Sequence, residues 1–150
     1  MSNDLQELAW KYFELHAGQR LTIFNFYIAL CSAIAAGLVA TFGKDFSYPN
    51  ARILLGLLLV LFSFVFWKLD DRTKLLIKNA EAALEFYEEQ DGKEILVTHV
   101  FRREKVLTAE KRSSVRLHLS YSKCFNIVFT AFALLGVGTL IWELRVLIHF

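Results

Sequence analysis

The residues able to do chemistry in this chain are few and scattered. Cys31 lies near the middle of one apolar block and Cys124 at the edge of another. Their depths differ too much for an easy bridge, so two packed free thiols are expected. No CxxC pair or zinc-type spacing accompanies them. No Ser/His/Asp set, glycine-rich phosphate loop or carboxylate pair stands in a supporting context either. Catalysis, a cofactor and a bound metal are therefore not expected. What remains is a basic set, Arg102, Arg103, Lys105, Lys111, Arg112 and Arg116. It is the candidate contact for an anionic ligand, a lipid headgroup or an acidic partner. The same set also follows from the ordinary excess of cations beside a membrane, since acidic residues are interspersed and the net charge is only +2. Nucleic-acid binding is not expected, because no recognised fold or groove-sized basic helix is present.

The elements that would position these groups are dictated by composition. Of 150 residues, 55% are hydrophobic and 15% aromatic, with fourteen phenylalanines and one proline. That excludes a disordered chain, a disulfide-stapled scaffold and a large catalytic domain. The apolar residues gather in three uncharged blocks, and a soluble domain of this size has too little interior to bury three such helices. Residues 21–43 would make a helix of roughly 34 Å, enough for a hydrocarbon core of about 30 Å. The run 53–67 alone gives only about 22 Å. Pro49 suits a first helical turn, and Arg52 and Lys68 can snorkel, so a span over 49–68 restores the length. The third uncharged run, 124–142, gives roughly 28 Å, with the span taken to 145.

Orientation follows from lysine and arginine. Fourteen lie before the first span or between the second and third, against three (Lys44, Arg52, Arg145) in the short loop and C-terminal end. The N-terminus and the long loop are therefore expected in the cytoplasm, and the short loop and C-terminus outside. Trp67 and Trp142 then fall at opposite interfaces, with Phe46 and Tyr48 flanking the outer loop. The first twenty residues carry Asp4, Glu7 and Glu14 and lack a basic start followed by an apolar stretch, so no cleavable signal is expected.

Residues 1–20 repeat Leu5, Leu8, Tyr12 and Leu15 at helical spacing after Ser2 and Asn3, predicting an interfacial amphipathic helix that lies on the membrane before turning in. Beyond the second span, Leu69, Thr73, Leu76, Ala80, Ala83 and Tyr87 trace one stripe opposite Lys74, Lys78, Glu81 and Glu85. The helix should continue out of the bilayer to a turn near Gln90-Asp91-Gly92. The run 95–101 is a strand or an extended segment, and a further helix from about Thr108 should lead into the third span. The expected fold is an all-α integral membrane protein, with residues 69–123 forming a cytoplasmic helical stalk.

In the first span Ala29, Ala33 and Gly37 recur at four-residue spacing beside a second small row, Ser32, Ala36 and Ala40. Gly136 and Gly138 offer a further close contact in the third. Small rows let backbones approach in lipid, where no hydrophobic effect drives helices together. They serve either packing against the chain's own spans or self-association. The polar groups within the spans are Asn25, Ser32, Ser63, Asn126, Thr130 and Thr139. None is ionisable, which argues against a coupled transporter but is compatible with a simple pore. Asn25 and Asn126 sit at similar depth and are read as bonding to each other between helices.

The segment His16-Ala17-Gly18-Gln19-Arg20 before an aromatic span, with Phe66-Trp67-Lys68-Leu69-Asp70-Asp71-Arg72 entering a charged helix, resembles small bacterial membrane proteins of anti-phage systems. These include SLATT-like and CRISPR- or CBASS-associated effectors. The resemblance covers residues 10 to 90. It implies an inner-membrane oligomer that permeabilises or depolarises the membrane when a cytoplasmic protein or nucleotide signal acts on the stalk. A non-conducting anchor for a soluble partner is the other reading. Arg112 and His118 resemble the arginine-to-histidine spacing of HEPN-type ribonucleases, but the loop is too small for that four-helix bundle, and an exposed stalk histidine is expected instead. The charge asymmetry makes a first test: a reporter active only in the cytoplasm, fused after Phe150, is expected to be silent, and activity there would reverse the assignment.

Overall fold

The computed structural model describes residues 2–43, 48–90, 100, 103 and 121–148. Three helices account for nearly all of them: α1 (Ser2–Ala40), α2 (Pro49–Gln90) and α3 (Tyr121–Ile148). All three are long and apolar enough to cross a membrane, and no strand occurs among the described residues. The fold is all-helical, as lipid requires of a chain that must satisfy every backbone group within its own segments.

The helix ends follow local chemistry. Pro49 opens α2, and the carbonyl of Tyr48 accepts from the amides of Ala51 and Arg52 at 3.1 and 3.2 Å. α1 stops at Ala40, three residues short of the expected 43, because the chain tightens into a turn. There the Thr41 hydroxyl donates to the Leu38 carbonyl at 2.6 Å, and the Gly43 amide to that of Ala40 at 3.3 Å. α2 is described as far as Gln90, and the turn expected near Gln90-Asp91-Gly92 falls at and beyond that limit, outside the described residues. The interfacial helix expected over 1–20 is not a separate element: α1 passes through Gly18 and Arg20 unbroken. Residues 91–99 and 104–120 lie outside the described residues, and with them the 95–101 segment apart from Val100, and the helix expected from Thr108.

The chain divides into two compact units. One comprises residues 21–71 and 119–150, the three membrane segments. Its core is aromatic: Phe24 of α1 stacks on Phe125 of α3 with centroids 3.6 Å apart and planes at 5°. Tyr27, fully buried, meets Phe66 at 5.2 Å, Phe129 at 4.7 Å and Phe132 at 5.8 Å. The edge contacts of Tyr27 with Phe129 and Phe132 add to the area they bury. A phenol needs a partner when taken from water, and the Tyr27 and Ser63 hydroxyls share a hydrogen bond of 2.8 Å between α1 and α2. Cys31, Leu38 and Leu59 complete the buried core.

α2 and α3 come into close backbone contact at two glycines. A Cβ on Gly136 would stand 2.6 Å from the Gly56 carbonyl oxygen, 2.9 Å from Val60 Cγ2 and 3.1 Å from Leu59 Cβ. Gly138 meets nothing within 4 Å. Of the two glycines expected to pack, only Gly136 does so within the chain.

The other unit comprises residues 1–20 and 72–118. In its part of α2, Thr73, Ala80 and Leu84 are buried and Lys78 is exposed, close to the expected stripe. Leu5, Leu8, Trp10, Tyr12 and Leu15 are exposed on the first part of α1. Lys11 pairs with Glu7 one turn earlier at 2.6 Å, and the nearby ammonium holds the Glu7 carboxyl below its usual range.

The glycine contact is tested by a pair of substitutions followed by thermal unfolding in mild detergent. Gly136→Ala is expected to cost about 1–3 kcal/mol, since the new methyl meets backbone. Gly138→Ala is expected to stay within about 0.5 kcal/mol, and equal effects would refute the contact.

Candidate functional site

Membrane proteins act through what their helices show to lipid, water or other copies, so the site is sought on the outer faces of the three-helix unit. On α1 the core-facing line is Tyr27, Cys31 and Leu38. Asn25, Ala29, Ser32, Ala33, Ala36 and Ala40 are exposed on the other side. Gly37 is half-buried, and a Cβ there would meet only Leu55 Cδ1, at an ordinary 3.8 Å. Most of the two small rows is therefore left uncovered by the chain's own spans. The exposed faces of α2 and α3 are different: Leu54, Leu57, Leu61, Phe64, Leu134 and Ile141 are large and suited to lipid.

A second feature lies between α2 and α3. Ser63, Phe64 and Trp67 of α2 and Asn126, Thr130 and Ala133 of α3 line a groove of about 500 Å³. Thr130 donates to the Asn126 carbonyl at 2.7 Å and Thr139 to that of Leu135 at 2.9 Å, so both hydroxyls are satisfied by their own helix. The Asn25 and Asn126 side chains are exposed, and among the described residues no hydrogen bond joins them to each other or to any other group. The bond expected between them within one chain is absent, and both residues are exposed rather than packed between α1 and α3.

At the far end of the bundle is an ion pair that sequence reading missed. Arg52 Nε lies 2.9 Å from Glu143 Oε1, with the two side chains only 15% and 3% exposed. The contact is an electrostatic pair rather than an aligned hydrogen bond. The Arg52 guanidinium also stands over the Phe42 ring, 5.1 Å from its centroid. Arg52 was expected to snorkel, and Glu143 is the first charged residue after the third uncharged run. The antiparallel approach of α2 and α3 at Gly56 and Gly136 instead brings the two charges together. Opposite charges at equal depth were the available signal. Lys68 is exposed, its ammonium 4.4 Å from the centroid of the Trp67 ring.

Of the basic set, Arg103 is described and exposed, whereas Arg102, Lys105, Lys111, Arg112 and Arg116 lie outside the described residues, as does His118. Cys31 is buried, Cys124 is exposed and both are free thiols. Among the described residues no cluster of His, Cys, Asp and Glu forms a metal site.

The comparison that bears on these faces is at family level. The model of the octameric membrane protein family matches residues 3–145, nearly the whole chain. The chain belongs to the octameric membrane protein family. It is also similar to a protein of Escherichia coli named CD-NTase-associated protein 19, with 41% identity over 136 residues, covering 87% of this chain and 85% of the relative. No solved structure gives a significant match. Membership makes this a multi-pass membrane protein that assembles with copies of itself. The exposed small residues of α1 and the α2/α3 groove are thus surfaces on a subunit of an assembly.

The ion pair is tested by a double-mutant cycle on unfolding in detergent. Glu143→Leu leaves a half-buried cation unpaired and is expected to cost about 3 kcal/mol. Adding Arg52→Leu is expected to restore most of that loss. A double variant as unstable as the single would show that the site does not depend on pairing.

Proposed function

We propose that the chain is a subunit of a homo-oligomeric membrane pore or membrane-disrupting effector in a bacterial defence system, joined to its neighbours through the outward face of α1. The observation that carries this reading is the contrast between helix faces. Asn25, Ala29, Ser32 and Ala36 are exposed on α1, whereas most of what α2 and α3 expose outside their groove is large and apolar. A face of small and polar residues gains little from lipid and much from a closely packed neighbour or from water. The defence context is supported by a relative whose name associates it with a CD-NTase. The sequence resemblance to CBASS-associated effectors points the same way. In this reading eight copies assemble, as the family's description has it. A nucleotide signal or a cytoplasmic protein then acts on the stalk through the basic residues that include Arg102 and Arg103.

Controlled expression in cells stained with a potential-sensitive dye, with oligomer size measured in mild detergent, separates the pore from a passive anchor. Wild-type chain is expected to depolarise the membrane. Ala29→Leu with Ala36→Leu is expected to insert normally but to lose both the oligomer and the depolarisation, since each added side chain forces backbones apart. A wild-type oligomer that leaves the membrane polarised at every expression level, both in uninfected cells and during phage infection, would favour the anchor.

A further inference from the structure

A closed ring of identical chains needs two different surfaces on each subunit, one of which fits the other on the next copy. The three-helix unit carries two such surfaces. One is the small face of α1, and the other is the α2/α3 groove, which no α1 residue lines.

Depth decides whether they can meet. Copies inserted in one orientation are related by an axis along the membrane normal, so each residue keeps its depth from copy to copy. Two residues can touch across the interface only if they already lie level within one chain. The stacked rings of Phe24 and Phe125 put those two positions level, and Tyr27 against Phe129 continues the correspondence, so α1 and α3 run in the same direction. Asn25 is therefore level with Asn126, Ala29 with Thr130 and Ser32 with Ala133. The steps along the two helices are the same, four residues and then three, so each series keeps to one helical face. Asn25, Ala29 and Ser32 are exposed on α1, and Asn126, Thr130 and Ala133 line the groove.

We infer that the groove between α2 and α3 is the seat for α1 of a neighbouring copy, with Asn25 of one chain bonding to Asn126 of the next and Ala29 and Ser32 packing against Thr130 and Ala133. The occupant is a second copy because the family is octameric and because the two unpaired amides answer each other at one depth. An amide in lipid gains from any partner, and the Asn126 amide has none among the described residues. Small residues on the incoming helix let it approach the groove closely past the rings of Phe64 and Trp67 on its α2 side. This assignment rests on the assembly reading above and adds which surface receives α1.

The test is disulfide trapping in native membranes, in a background carrying Cys31→Ala and Cys124→Ser that retains wild-type oligomer size. Chains bearing Asn25→Cys and differently tagged chains bearing Asn126→Cys are co-expressed and oxidised. The expected result is a covalent pair carrying both tags, which forms from neither variant expressed alone. Ala29→Cys with Thr130→Cys is expected to give the same product one turn further along, which guards against local damage at the asparagines. Efficient pairing of Asn25→Cys with itself, and none with Asn126→Cys, would place α1 against α1 and overturn the inference while leaving the assembly reading intact. An intact oligomer with no trapped pair at either level would overturn it too. Loss of the oligomer in the cysteine-free background and in wild type alike would instead refute both readings.

Discussion

The close approach of two peptide backbones at Gly56 and Gly136 governs the membrane part of this protein. In hydrocarbon there is no gain from hiding apolar surface between helices, so α2 and α3 are held by contact quality alone. Removing both side chains at one point maximises that contact. It also fixes the antiparallel register, and from the register follow the other features of the pair. Arg52 meets Glu143 beyond the glycines on one side. On the other side the helices are separated by larger residues, and the groove bordered by Phe64 and Trp67 opens. Two rods that touch at one point part on either side of it. The groove is thus a consequence of how tightly the glycines fit.

The third helix joins this pair by different means. α1 contributes rings rather than small residues to the interior, with Phe24 against Phe125 and Tyr27 among Phe66, Phe129 and Phe132. Its small residues are left for the outside. One helix thus carries two kinds of packing surface, an aromatic one that secures it within its own chain and a smooth one available to another.

The elements were largely legible in the sequence, because a bilayer turns a count of uncharged residues directly into a length. Pro49 marks the start of α2 for reasons of backbone chemistry that hold in any context. The small rows of α1 were equally visible from their spacing. What spacing leaves open is which way they face, since an alanine row fits an internal contact as well as an external one. The core of this bundle is ordered by its phenylalanines, and their pairing depends on three-dimensional register. The Arg52–Glu143 pair was hidden for the same reason. Each charge alone fits the end of a span, and only the antiparallel register at Gly56 and Gly136 shows that they meet. Gly56 itself lies in a run of leucines and draws attention only when its partner is known.

The buried pair has an electrical consequence. Moving one elementary charge through a membrane potential is worth about 2.3 kcal/mol per 100 mV. A paired cation and anion at the same depth present no net charge to that field. Between this pair and Lys68 the described spans hold no other charged side chain. The transmembrane voltage therefore has almost nothing to pull on in the bundle.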